Sequence, residues 1–440
     1  MSDFAPAARN QSLEDFWMPF TANRAFKANP RILTRAEGVH YWNDRGDKLI
    51  DGLSGLFTTP AGHGRPEIRD AVAQQFDRLD FAPPFQFATP GAFQLSTEIA
   101  KLTPAGLNRI FYANSGSEAV ESAIKVAFQY HRRKGHGQRQ RIVGREKSYH
   151  GVNLAAWSVG GMVKNREMFG LGMAGVSHMR HTQLDYTDTT LGQPEAGADL
   201  ADDLQRAVDL YGAETIAACI VEPISGSVGI LVPPKGYLAR LRAICDAHGI
   251  LLIFDEVITG FGRTGEAFAA QTFGVTPDMM TMAKAITNGT VPMSAVAVKD
   301  EIYDTIVNQA PAGIEFFHGY TWSANPIACA AALATLKIYA DEDLFARGKA
   351  LSVGFMARLA GLARFPVVTG LRGFGMLGAI DLAVGDAPGA RGFAALQALY
   401  ASGAVVRATM DTIILSPPFV MTEDQMDELF DKLATTLPTL

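Results

Sequence analysis

Hydrophobic positions in this chain follow two alternating patterns. Residues 110–112, 217–221 and 251–254 are short continuous apolar runs bounded by polar residues. Such runs predict strands buried on both faces of a parallel sheet. Between them, apolar residues recur at helical spacing. Residues 118–134 place Val120, Ile124, Ala127 and Phe128 on one face and stop at Gly135. Residues 237–248 do the same with Leu238, Leu241 and Ile244 before Gly249. Strand–helix alternation predicts an α/β fold with a largely parallel sheet, placed at residues 65–325. Asn325-Pro326 then opens an Ala-rich helix, with Asn as cap and Pro at the first helical position. Residues 326–440 mix helices with short strands at 404–406 and 412–415 and predict a smaller α+β domain. Residues 1–64 are aromatic and irregular, and are expected to join that domain or a subunit interface. The segment 185–203 carries six acidic residues with Gly and Pro and predicts a solvated excursion.

Composition narrows the class. With 440 residues, 48% hydrophobic and 19% charged, neither disorder nor collagen-like order is expected. Lys and Arg total 39 against 45 Asp and Glu, a net charge of −6, which gives no footprint for nucleic acid or an anionic membrane. The uncharged stretch 316–336 has membrane-spanning length. It contains Thr321, Trp322, Asn325 and Pro326 and is mostly Ala at its C-terminal end, so a buried helix of a soluble protein is expected instead. Cys219, Cys245 and Cys329 share no CxxC spacing and predict buried thiols in a reducing compartment. The first residues lack a basic stretch followed by an apolar run, so the expected location is the cytoplasm.

Three stretches carry candidate chemistry. Ala113-Asn-Ser-Gly-Ser-Glu118 follows a predicted strand and opens a predicted helix. Ser115 and Glu118 have capping-box spacing. Gly116 lets backbone approach a ligand, and Ser117 offers a hydroxyl and an amide at the helix's positive end. That suits an anion, phosphate above all, and also suits a plain cap. Leu251-Leu-Ile-Phe-Asp-Glu256 resembles the acidic strand of a nucleotide hydrolase, but the chain has no G-x-x-x-x-G-K-[ST]. Asp255 falls where open α/β sheets place ligands, at the carboxyl end of a central strand. In Met282-Ala-Lys-Ala-Ile-Thr-Asn-Gly289, Lys284 is either a snorkelling surface residue or a buried amine able to attack carbonyls. A lysine, an anion cradle and a carboxylate together match pyridoxal phosphate (PLP), with its aldehyde, phosphate and ring nitrogen.

Further stretches carry a family resemblance: Trp17-Met-Pro-Phe-Thr-Ala-Asn-Arg24, Ser148-Tyr-His-Gly-Val152, Val221-Glu-Pro223, Phe254-Asp-Glu-Val-Ile-Thr-Gly-Phe-Gly-Arg-Thr-Gly265, Ala283-Lys284 and His318-Gly-Tyr-Thr321. With them the chain resembles the class III PLP-dependent aminotransferases along nearly its whole length, and within them the ω-amino acid–pyruvate (β-alanine–pyruvate) group. The resemblance implies the type I PLP-dependent transferase fold and a homodimer or dimer of dimers with shared active sites. It implies that Lys284 bonds the cofactor aldehyde and shuttles a proton. Asp255 would pair with the ring nitrogen, Tyr149 and Val257 would cover the ring, and Ser115, Gly116 and Ser117 would bind the phosphate. His150 and Glu222 would support the cofactor, and Thr321 would come from the neighbouring subunit. It further implies that Arg407 holds the carboxylate of a keto-acid acceptor through its guanidinium fork. Trp17, Phe20, Phe57 and Phe85, with Tyr149, would line the substrate pocket; each alone could equally be core or interface packing. The expected partners are a small amine donor and a keto acid, with 2-oxoglutarate the alternative acceptor to pyruvate.

Three positions depart from the pattern. Met410 stands where Gly is usual, Phe57 where Trp is common, and Trp322 where Tyr or another residue is common. Other motifs carry less. Gly373-Phe-Gly-Met-Leu-Gly378 precedes a strand-like run rather than a helix, so no dinucleotide site is expected. The histidines at 131, 136, 178 and 181 lack further ligands for a metal, and no G-x-S-x-G elbow is present.

Overall fold

The computed structural model describes residues 12–183 and 189–440. The predicted runs assemble into one seven-stranded sheet. Its order is Arg109–Ala113, Ser294–Val298, Met279–Met282, Leu251–Asp255, Ile216–Val221, Arg141–Arg145 and Val176–Met179. Ser294–Val298 is antiparallel to both its neighbours, and the other pairings are parallel. Every residue of Ile216–Val221 and Leu251–Asp255 is buried. Their side chains alternate between two cores. Ile220, Leu251 and Ile253 pack with Val120, Ile124 and Ala127 of the helix Gly116–Arg133. Cys219, Val221, Leu252 and Phe254 pack with Leu238 and Leu241 of the helix Tyr237–His248. A strand pattern of period 2 thus meets helical stripes of period 3.6 on both faces. All three cysteines are buried thiols.

The N-terminal segment is more regular than its sequence predicts. Leu33–Glu37, His40–Asn43 and Lys48–Asp51 form an antiparallel meander, and Ala404–Val405 adds a parallel fourth strand. These strands span only four or five residues and carry Arg35, Glu37, Lys48 and Asp51, so no apolar run marks them. The acidic excursion also needs correcting. Its Thr189–Leu191 pairs with Val368–Phe374 as the edge of a five-stranded sheet, and Asp202–Tyr211 is a helix. Three of its acids are tethered: Glu195 to Lys235, Asp202 to Arg240 and Asp203 to Arg180. Residues 185–188 of that segment lie outside the described residues.

Asn325 caps Pro326–Asp341, its Oδ1 accepting from the Ile327 and Ala328 N–H groups. No helix among the described residues is long and apolar enough to cross a membrane. Gly373 and Gly378 face each other across a hairpin, so no helix opens there to take a pyrophosphate.

Met410 occupies the tip of the hairpin joining Arg407–Thr409 to Thr412–Leu415, at φ 50°. A side chain in this left-handed region costs about 1–2 kcal/mol relative to glycine. Met410→Gly is therefore expected to raise stability by about 1 kcal/mol in a urea melt. An unchanged or lower midpoint would count against the strain.

Candidate active site

A cavity of about 330 Å³ opens at the carboxyl ends of the central strands. Asp255 reaches it from the end of Leu251–Asp255, Glu222 from just beyond Ile216–Val221, and Lys284 from just beyond Met279–Met282. Ser115, Gly116 and Ser117 line it from the start of Gly116–Arg133, and Tyr149, His150 and Gly151 from the loop after Arg141–Arg145.

Only half of the expected capping box forms at the helix start. Ser115 Oγ accepts from Glu118 N at 3.3 Å. The Glu118 carboxylate turns back instead to Asn114, accepting from its backbone N at 2.8 Å and its Nδ2 at 2.9 Å. The N–H groups of a first helical turn have no intrahelical acceptor and sit at the positive end of the dipole. Gly151 presses against this turn. With φ at +126°, a Cβ there would lie 2.3 Å from Ser117 Oγ. A Cβ on Gly116 would lie 3.2 Å from the Val257 methyls. Glycine at both positions keeps the anion-facing backbone bare.

Asp255 is buried and oriented through both oxygens. Its Oδ2 lies 2.7 Å from His150 Nδ1. Its Oδ1 accepts from Thr281 Oγ1 at 3.0 Å and Val257 N at 3.1 Å. His150 Nε2 is buried without a partner among the described residues and belongs to a residue that lines the cavity. The Glu222 carboxylate accepts from Tyr149 N at 2.8 Å and Gly226 N at 2.9 Å, which fixes the backbone under the Tyr149 ring. Burial raises its pKa; the His150 charge opposes that rise and Asp255 adds to it.

Lys284 resolves the choice left open by the sequence. It begins the short Lys284–Thr287 turn at φ 51°, and its part-buried side chain lines the cavity. Burial brings its pKa down to about 8, against the pull of Asp255 and Glu222 and aided by the Arg407 charge. Arg407 is half-buried on Arg407–Thr409, and burial lowers its pKa too. Its one side-chain hydrogen bond among the described residues runs from Nε to Thr409 Oγ1 at 3.5 Å, and it forms no ion pair with them.

The aromatic set divides. Phe20 meets the Tyr149 ring edge-on at 6.2 Å. Phe57 is buried in the core with Leu53, Ile224 and Ile258, its ring centroid 5.9 Å from Lys284 Nζ. Trp17 is 89% exposed, and Phe85 packs on Gly319 of the loop that carries Thr321. Thr321 is exposed and does not line this chain's cavity. Sequence reasoning missed Thr281 and Thr58, the latter a cavity-lining residue. Thr281 faces Asp255 in the parallel register, and a lone hydroxyl in the apolar run 279–282 was the available signal.

An amine of lowered pKa, a braced carboxylate, an unpaired imidazole nitrogen and a helix start whose glycine keeps backbone bare thus surround one cavity. That donor set fits PLP. The family model for aminotransferase class-III matches residues 21–437.

The chain is a class III aminotransferase.

An ω-aminotransferase of Caulobacter vibrioides is 49% identical to this class III aminotransferase, with 97% of both chains covered. A β-alanine–pyruvate aminotransferase of Pseudomonas aeruginosa is 47% identical, covering 98% of this chain and 97% of that one. The solved structure of an ω-transaminase from Pseudomonas jessenii in complex with PMP superposes with a TM-score of 0.92 at 30% identity, covering 97% of this chain and 96% of that one. The fold is that of the type I PLP-dependent transferases, and the enzyme is a PLP-dependent transaminase acting on a small amine donor and a keto acid.

The lowered pKa of Lys284 predicts how the apoenzyme takes up PLP. Only the free amine attacks an aldehyde, and near pH 8 about half of Lys284 is free, against well under 1% for an ordinary lysine. The uptake rate should rise with pH and level off above about 8. A rate still climbing steeply beyond pH 9.5 would show that burial does not depress this amine.

Proposed function

We propose that the enzyme moves the amino group of an ω-amino acid such as β-alanine, or of another primary amine, to pyruvate. The products are an aldehyde or ketone (malonate semialdehyde from β-alanine) and L-alanine. The two relatives named above support this, one an ω-aminotransferase and one a β-alanine–pyruvate aminotransferase. The observation that carries it is Arg407, a half-buried guanidinium whose charge reaches Tyr149 and Lys284 and which has no carboxylate partner among the described residues. A buried cation left unpaired calls for an anion, and a planar fork matches a carboxylate.

When bound, PLP supplies an electron-accepting ring and an aldehyde carbon that holds the amino group between two half-reactions. Lys284 would anchor that aldehyde. Its Nζ would carry a proton from the donor's amine-bearing carbon to the cofactor's aldehyde carbon, and in the second half-reaction from that carbon to the acceptor's carbon. Asp255, braced by His150 and Thr281, would hold the ring nitrogen protonated. Ser115, Gly116 and Ser117 would take the phosphate at the helix start. Tyr149 and Val257 would enclose the ring, with Glu222 fixing the Tyr149 backbone. Arg407 would bind the acceptor carboxylate and swing aside for donors that present an apolar group there.

The site would be completed by a second copy, in a cytoplasmic homodimer or dimer of dimers. Trp17, Phe20, Phe85, Phe317 and Trp322 are all more than half exposed, at 89%, 75%, 55%, 91% and 58%. Large exposed apolar side chains of this kind mark a surface that another protein covers. Thr321 would reach the partner's phosphate, and the aromatic residues would wall the pocket across the boundary.

Assaying β-alanine, taurine, a diamine and 1-phenylethylamine against pyruvate and 2-oxoglutarate tests the reading; preferred use of 2-oxoglutarate would overturn it. Arg407→Ala should slow the pyruvate half-reaction about 10- to 100-fold, the worth of a charge-assisted pair, and leave the 1-phenylethylamine half-reaction within a few-fold. Equal losses in the two halves would remove the acceptor role.

A further inference from the structure

The loop that bears Thr321 is tied to the helix that opens the cavity. His318 Nε2 lies 2.9 Å from Ser122 Oγ. Tyr320 OH donates to Glu118 O at 3.1 Å, and Ser323 Oγ donates to Tyr112 O at 2.8 Å. Proton counting fixes the directions. Ser122 has a single hydroxyl proton, and its Oγ lies 2.7 Å from Glu118 O, which can only accept. Ser122 therefore donates to that carbonyl, and His318 donates from Nε2 to Ser122. An aromatic nest holds the imidazole. It stacks on Phe111 at 5.4 Å, and meets Phe316 and Tyr320 edge-on at 5.4 Å and 5.0 Å. Burial, with the Lys125 charge, lowers the pKa of His318 to about 4, so it is neutral at physiological pH with one ring proton.

The tip of this loop behaves differently from its base. Thr321 and Trp322 are exposed, although the residues on either side are pinned by side-chain bonds. A tip held rigid while facing outward is built to present something.

We propose that Ser122, His318 and Tyr320 are positioning residues for the cofactor of the neighbouring subunit, because they fix the loop that offers Thr321 to it. This rests on the reading of Thr321 given under Proposed function. One helix then serves two sites. Its first turn, Gly116 and Ser117, faces its own cavity, and Glu118 and Ser122 just beyond hold the loop that serves the partner's.

The test is PLP affinity, read by titrating apoenzyme and following visible absorbance, with Tm and elution volume measured on each variant. His318→Leu should weaken PLP about tenfold, the worth of one buried hydrogen bond to a neutral group or slightly more. His318→Gln, which keeps an N–H near the position of Nε2, should recover affinity to within about threefold. Ser122→Ala, which removes only the buried hydroxyl that His318 bonds, should weaken PLP in the same direction while the protein stays folded. In a Thr321→Val background, His318→Leu should add nothing, because both act through one contact. Losses that multiply in the double variant would overturn the proposal. So would wild-type affinity in both His318→Leu and Ser122→Ala while Thr321→Val is weakened. Wild-type affinity in Thr321→Val itself would instead sink the reading of Thr321, and this inference with it.

Discussion

Lys284→Ala is expected to abolish turnover, by at least about 10³-fold, together with the visible absorption of bound cofactor. Two contributions combine. A positioned proton-transfer group is worth about 10²–10⁴-fold, and here the same nitrogen also anchors the aldehyde. The surroundings leave no substitute. Among the other residues lining the cavity there is no second lysine and no arginine. His150, the one imidazole there, is committed through Nδ1 to Asp255. The variant should still fold. The native state keeps the pKa of Lys284 well below its usual value, so burial works against this ammonium and its removal takes away an unfavourable contribution at neutral pH. Melting temperature, absorbance and turnover measured on one preparation decide the matter. A folded Lys284→Ala protein with both the band and the activity would overturn the assignment.

Asp255→Asn is expected to lower kcat by at least about 10²-fold while PLP still binds. The asparagine keeps the size of the side chain, and its oxygen can still accept from Thr281 and Val257. What it loses is the charge that would hold a ring nitrogen protonated, and a cation deprived of a close anion shifts its pKa by one to three units. Each unit is a factor of ten in the protonated fraction once the pKa falls below the working pH. Single-turnover rates measured with cofactor in excess separate this effect from weakened binding. A rate within about threefold of wild type would mean that Asp255 does not govern the ring.

The central sheet could be read from the sequence because buried parallel strands write themselves as unbroken apolar runs; 217–221 and 251–254 fall within the strands Ile216–Val221 and Leu251–Asp255. Asp255 stood out because it ends such a run where open sheets place ligands, whereas Lys284, which a surface position would also suit, gained meaning only beside Asp255 and the helix start. The meander at Leu33–Asp51 stayed hidden because its strands are short and half charged. The acidic segment looked solvated because charge dominates its composition, and the cations that tether it, Arg180, Lys235 and Arg240, lie outside it. Thr281 emerges only from the register that sets it beside Asp255. Glu118 bonding to Asn114 rather than to Ser115 reflects the path of the chain into the helix, which spacing alone does not fix. Trp17, Phe85 and Thr321 are hard to place from one chain in isolation, because each is exposed and none lines its own cavity.

The four-stranded sheet that closes Lys48–Asp51 with Ala404–Val405 has a consequence for how the enzyme is made. Ile50 pairs with Ala404, a residue that leaves the ribosome roughly 350 positions later. At about 5–20 residues per second, the N-terminal meander waits tens of seconds with one edge open. Through that interval its unpaired N–H and C=O groups can recruit any extended segment nearby, including the same segment of another nascent chain. Recombinant yield should therefore respond to the rate of synthesis and to chaperone supply more than to the stability of the finished protein.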